Sequence, residues 1–97
     1  MDIKLIHRTL RIPLYKLFYI DDLQNFYGFS LEELKQFHID YTKDEREHII
    51  TALEWAVNNP KFDFRSLLPG LQQPNESIYR YICILHKQLY SSTENRK

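Results

Sequence analysis

The sequence predicts an all-α fold: one compact domain over residues 1–97, a bundle of five to seven helices, several of them short. Three observations carry that prediction. Residues 42–59 bear an apolar stripe at helical spacing between a capping signal and an Asn-Pro stop. Residues 75–90 bear a second stripe. Two glycines and four prolines supply too few turn residues for a hairpin-rich β fold. With 97 residues and 43% apolar content the chain can fill one ordinary core. One Trp, seven Tyr and six Phe indicate a core of large side chains with some hydroxyls reaching the surface.

In chain order, Ile3, Ile6 and Leu10 keep a helical spacing, and Pro13 removes a donor and clashes with the preceding turn. A helix ending near Arg11 and another starting at Pro13 are therefore expected, the second facing the core through Leu14, Leu17 and Phe18. Asp21 is placed to cap a short segment that Gly28 ends. Ser30 and Glu33 make a capping box, with Phe29 and Leu34 positioned as a hydrophobic staple. Leu31, Leu34 and Phe37-His38 form the apolar side of that helix. Thr42 and Glu45 make a second capping box, opening the long helix that ends before Pro60.

On that helix Ile49, Ile50, Leu53, Ala56 and Val57 share one sector, and Lys43, Asp44, Glu47, Thr51, Glu54 and Asn58 fill the opposite one. Trp55 lies between them beside His48 and is expected as core beneath the connector 62–71, the alternative being an anchor in a partner interface. In that connector Asp63 can cap one turn, Pro69-Gly70 makes a turn, and Phe62, Phe64, Leu67, Leu68 and Leu71 should pack as a plug. Asn75 is expected to cap the last helix, whose core stripe is Ile78, Ile82, Leu85 and Leu89. Tyr81 and His86 flank that stripe, Arg80 and Lys87 face water, and residues 91–97 form a frayed polar tail.

Thirteen basic and thirteen acidic residues cancel, so the total points to neither nucleic acid nor membrane. Their distribution is uneven. Residues 2–20 carry Lys4, Arg8, Arg11 and Lys16 against Asp2, and residues 61–97 carry six basic residues against three acids. Residues 21–54 carry nine acids against Lys35, Lys43 and Arg46. An acidic middle between basic ends makes a dipolar chain, and such fields steer charged partners.

Cys83 alone cannot form an internal disulfide, which fits a reducing, cytoplasmic setting. The first residues lack the unbroken apolar run of a signal peptide, and no apolar run of membrane-spanning length occurs. Four scattered histidines, no HExxH and no GxSxG give no catalytic or metal signature; the pair Cys83 and His86 lacks partners at zinc-ligand spacing. Neither enzymatic activity nor a metal or cofactor is expected.

The run LEWAVNNPKFDFRSLLPGL (53–71), followed by NESIYRYICILHKQLY (75–90), resembles the small helical immunity proteins of contact-dependent growth inhibition systems. The likeness lies in the order of an Ala-Leu-x-Trp-Ala helix end, Asn-Pro, Asp-Phe, Ser-Leu-Leu-Pro and a Tyr-rich final helix. It implies a bacterial cytosolic protein that binds the toxin domain of a cognate secreted effector, often a nuclease, and blocks its active site. It carries over no binding residue. The helical-face argument names Glu32, Glu33, Asp40, Asp44, Glu47, His48, Thr51 and Glu54 as the contact surface for a basic toxin domain. The expected state is a monomer when free and a one-to-one complex when bound. The alternative is a small nucleic-acid-binding regulator using the basic terminal segments.

Overall fold

A computed structural model describes residues 2–94, with side chains described through Ser91. All its regular elements are helical. They are α1 (Ile3–Tyr15), α2 (Leu31–Asp40), α3 (Lys43–Val57) and α4 (Asn75–Glu94), with one-turn 3-10 segments at Lys16–Tyr19, Leu23–Asn25 and Phe64–Leu67. Four α-helices are fewer than the five to seven helices expected, the balance being made by these single turns.

The first difference arises at Pro13, which lies inside α1 rather than starting a second helix. It falls in the last turn, just before the chain tightens into the 3-10 segment. Keeping one helix places Ile6, Leu10, Pro13 and Leu14 on one buried face, with Leu17 continuing it. Tyr81 reinforces the site by donating its hydroxyl to the Pro13 carbonyl at 2.6 Å. Phe18, expected in the core, is 44% exposed.

α3 packs between α1 and α4 and buries Ile49, Ala52, Leu53 and Ala56. Ile50 and Val57 cover the edge of that core half-buried. α4 buries Ile78, Ile82, Leu85 and Leu89, as its stripe requires. Tyr81, expected on the flank, is wholly buried at the centre. Arg80, expected in water, donates to the Leu23 carbonyl at 3.2 Å and stands 5.3 Å from the Tyr27 ring centre. The helix runs on to Glu94, so the expected frayed tail is helical over its first four residues; residues 95–97 lie outside the described ones.

The connector packs as a plug, with Phe64, Leu67 and Leu71 buried and Phe62 and Leu68 half-buried against the core. Its anchor is Asn75, which does not cap α4. Pro74 occupies that place, its carbonyl accepting from Ser77 and Ile78. The Asn75 carboxamide instead accepts from the Phe64 amide at 2.8 Å and donates to the Phe62 carbonyl at 2.8 Å. This clasp replaces the expected cap from Asp63, whose side chain makes no capping bond. Asp22, not Asp21, precedes the Leu23–Asn25 turn and holds the Asn25 side chain.

Both capping boxes form: Ser30 with Glu33, and Thr42 with Glu45. Yet α2 buries no residue completely. Leu34 and Phe37 pack half-buried with Phe29 and Tyr41, while Leu31, expected on the apolar side, is 77% exposed because it falls beside rather than on the Leu34–Phe37 line. Polar side chains hold α2 at both ends. Gln88 of α4 grips the backbone of Phe29, and Arg46 of α3 donates to the carbonyls of His38 and Tyr41 at 3.1 and 2.6 Å. Gly28 makes the first grip possible, since a Cβ there would lie 3.1 Å from the Gln88 carboxamide at a backbone φ of +137°.

Candidate protein-binding surface

The surface begins with the way α3 is fixed. The Thr42 cap sets its start, and four fully buried residues lock one face against α1 and α4. Rotation being settled, Asp44, Glu47, Thr51 and Glu54 must project to solvent, and all four are exposed. At 100° per residue they share a sector of about 80° and extend along about 15 Å of helix. His48 stands exposed at the edge of that sector. Among the described residues, no side chain hydrogen-bonds or ion-pairs with Asp44, Glu47 or Glu54.

Glu45 shows what an acid looks like when the fold uses it. Its carboxylate accepts from the Thr42 amide at 2.8 Å, and its own amide donates to the Thr42 hydroxyl at 3.2 Å. The bond to the Thr42 backbone, followed by that to the Thr42 side chain, lowers the pKa of its carboxyl.

The three acids named on α2 stand apart from this stripe. Glu33 and Asp40 lie on the wall of a cavity of about 150 Å³ between α1, α2 and α4, to which α3 contributes no lining residue. Both already have local partners: Glu33 accepts from the Ser30 amide at 3.0 Å, and Asp40 accepts from the Gln36 carboxamide at 2.8 Å. Glu32 is exposed on the outer side of α2 with Leu31 and Ile39. The structure thus brings together the five residues named on α3 and leaves the other three on α2.

Trp55 packs inward. It is half-buried against the core, edge-on to His7 with ring centres 5.1 Å apart and edge-on to Phe62 at 5.2 Å. His7 touches both rings, and its Nε2 is buried without a hydrogen-bond partner among the described residues. A tryptophan held by the connector and α1 stabilises the fold; α3's outward face keeps only polar and charged groups.

The basic N-terminal segment forms a second surface. At 100° per residue Lys4, Arg8, Arg11 and Tyr15 fall within about 60° of each other on α1, and all are exposed. Tyr15 touches Phe18 and Tyr19, both exposed, with ring centres at 5.5 and 6.2 Å. Running one helix through Pro13 brings Tyr15 onto the line of the three basic residues.

Two buried or half-buried hydroxyls stay protonated. Burial pushes the Tyr81 pKa far up, with the Glu33 charge adding to it; burial and then the Asp40 and Glu45 charges raise that of Tyr41. Cys83 is half-buried, and the neighbouring Tyr79 hydroxyl donates to the Val57 carbonyl at 2.7 Å. Among the described residues no group of three or more His, Cys, Asp or Glu gathers closely enough to hold a metal ion, and no helix is long and apolar enough to cross a membrane. What this surface offers chemically is fixed negative charge for a partner. No protein family, no curated protein sequence and no solved structure matches the chain.

Proposed function

We propose that this protein is an immunity protein, which binds the toxin domain of a cognate bacterial effector in the cytosol and neutralises it in a one-to-one complex, without catalysis or cofactor. The observation that supports this most is the α3 stripe of Asp44, Glu47, Thr51 and Glu54, exposed on a helix whose orientation the core fixes. Nucleases carry basic surfaces for their substrates, and a row of carboxylates along one helix attracts and aligns such a surface. Because the core fixes the helix that bears them, no helix ordering is required on binding. The protein itself would be a monomer when free.

The test is association with the C-terminal domain of a large secreted protein, should one be encoded beside this gene. A stable one-to-one complex is expected, with an on-rate that falls at least about tenfold from low to physiological salt. Absence of a complex would overturn the reading, and an on-rate indifferent to salt would remove the steering role of α3.

A second reading rests on α1. Its aligned Lys4, Arg8 and Arg11 beside exposed Tyr15 could meet phosphates and stack a base, as a nucleic-acid-binding regulator would. The zero net charge of the chain ranks it below the first reading. A mobility shift with random DNA at low salt would reverse the order.

A further inference from the structure

The cavity between α1, α2 and α4 has a volume that limits what can fill it. It holds about 150 Å³, well below the roughly 300–1,000 Å³ of sites enclosing a drug-sized ligand. That is room for one ring, since an engineered apolar cavity of about 150 Å³ takes up benzene. The floor presents only rings and methyl groups: Tyr81 is wholly buried with its hydroxyl spent on the Pro13 carbonyl, and Leu85 and Leu89 are buried beside it.

The mouth is charged on both sides, and in opposite senses. On the α2 side stand Glu33 and Asp40, each with its carboxylate oriented by a local hydrogen bond. On the α1 side stands Lys16. The surface then continues past Lys16 into a shallow recess that includes the exposed rings of Tyr15 and Tyr19.

We infer that this groove docks a protein segment that inserts one large apolar side chain, with a basic residue toward Glu33 and Asp40 and an acidic residue toward Lys16. The volume selects a single side chain, and the two charged lips select its neighbours. Exposed tyrosines on the open flank suit a protein surface, since Tyr is enriched where binding energy concentrates. The anchored carboxylates reduce the ordering that docking requires. This goes beyond the α3 reading, because the groove contains no α3 residue.

The experiment is an amide-detected NMR titration of the full chain with the capped tripeptide Ac-Lys-Phe-Asp-NH2. The comparators are Ac-Lys-Ala-Asp-NH2 and benzyl alcohol. The Phe peptide is expected to bind in the millimolar range, shifting signals around Leu34, Phe37 and Leu85. Binding should be at least about tenfold weaker for the Ala peptide, for benzyl alcohol and for Asp40→Asn. Leu34→Trp, which fills the cavity, should abolish binding; should that variant not fold, Asp40→Asn decides.

No localised shift with the Phe peptide overturns the inference, as does equal binding of the Ala peptide. Benzyl alcohol binding as well as the peptide would make this a small-molecule site. Shifts that grow with protein concentration alone would give the groove to a second copy. The double variant Glu47→Lys/Glu54→Lys should bind the Phe peptide like wild type, so failure here and failure of the α3 reading are separable.

Discussion

Gln88 holds Phe29 by both ends of its carboxamide: Oε1 accepts from the Phe29 amide at 2.9 Å, and Nε2 donates to the Phe29 carbonyl at 2.7 Å. One side chain of α4 thereby satisfies both backbone polar groups of one residue in the segment leading into α2, a helix with no fully buried residue of its own. Gln88→Ala should destabilise the protein by about 1–2 kcal/mol and speed hydrogen exchange selectively through residues 29–37. Gln88→Glu keeps an acceptor but loses the donor, and should fall between. Uniform exchange across the chain in Gln88→Ala would show that α2 does not open on its own.

Asn75 plays the same part for the connector, bridging the Phe64 amide and the Phe62 carbonyl. Asn75→Ala removes both bonds and should cost about 1–3 kcal/mol by urea unfolding. Asn75→Asp retains the acceptor but turns a carboxylate toward the Phe62 carbonyl, so it should not restore wild-type stability. A side chain acting only at the start of α4 would give the opposite ranking, since Asp is as good a cap as Asn.

Trp55 should report on stability rather than on partner binding. It sits edge-on to both His7 and Phe62, half-buried beneath the connector. Trp55→Ala should cost about 2–4 kcal/mol, somewhat under the loss for a fully buried tryptophan, and Trp55→Phe markedly less. The partner's affinity for folded Trp55→Phe should match wild type; a tenfold loss there would return Trp55 to the interface.

The α3 cap gives a pH dependence with a definite sign. Hydrogen bonds from Thr42 lower the Glu45 pKa in the folded protein, so the folded state binds its proton less readily than the unfolded chain. The stabilisation is therefore present above the ordinary glutamate pKa of about 4.3 and is lost as pH falls through the folded value. Glu45→Gln should shift urea midpoints measured near neutral pH more than those measured near about pH 3. An equal shift at both would remove the charge from the argument.

Most of the helical framework was legible in the sequence because its signals are local. Two capping boxes and the stripes of α3 and α4 are set by residues three or four apart, and the structure forms them at those positions. Pro13 misled because a local rule met a tertiary gain: one continuous helix buries Leu10 and Leu14 on a single face. The clasps by Asn75 and Gln88 were illegible, since each joins segments whose proximity only the fold creates. The same holds for the surface. The α3 stripe follows from helical period alone, whereas the separation of Glu33 and Asp40 from it depends on how α2 lies over α1 and α4.

The central claim is that the carboxylates of α3 recognise a basic partner. It is tested most directly by passing source-cell lysate over immobilised wild-type protein and over folded Glu47→Lys/Glu54→Lys, followed by mass spectrometry. Wild type should retain one basic nuclease-type domain in equimolar amount, released by salt and reduced at least about tenfold on the charge-reversed variant. Equal retention of that domain by both proteins, or none by either, would contradict it.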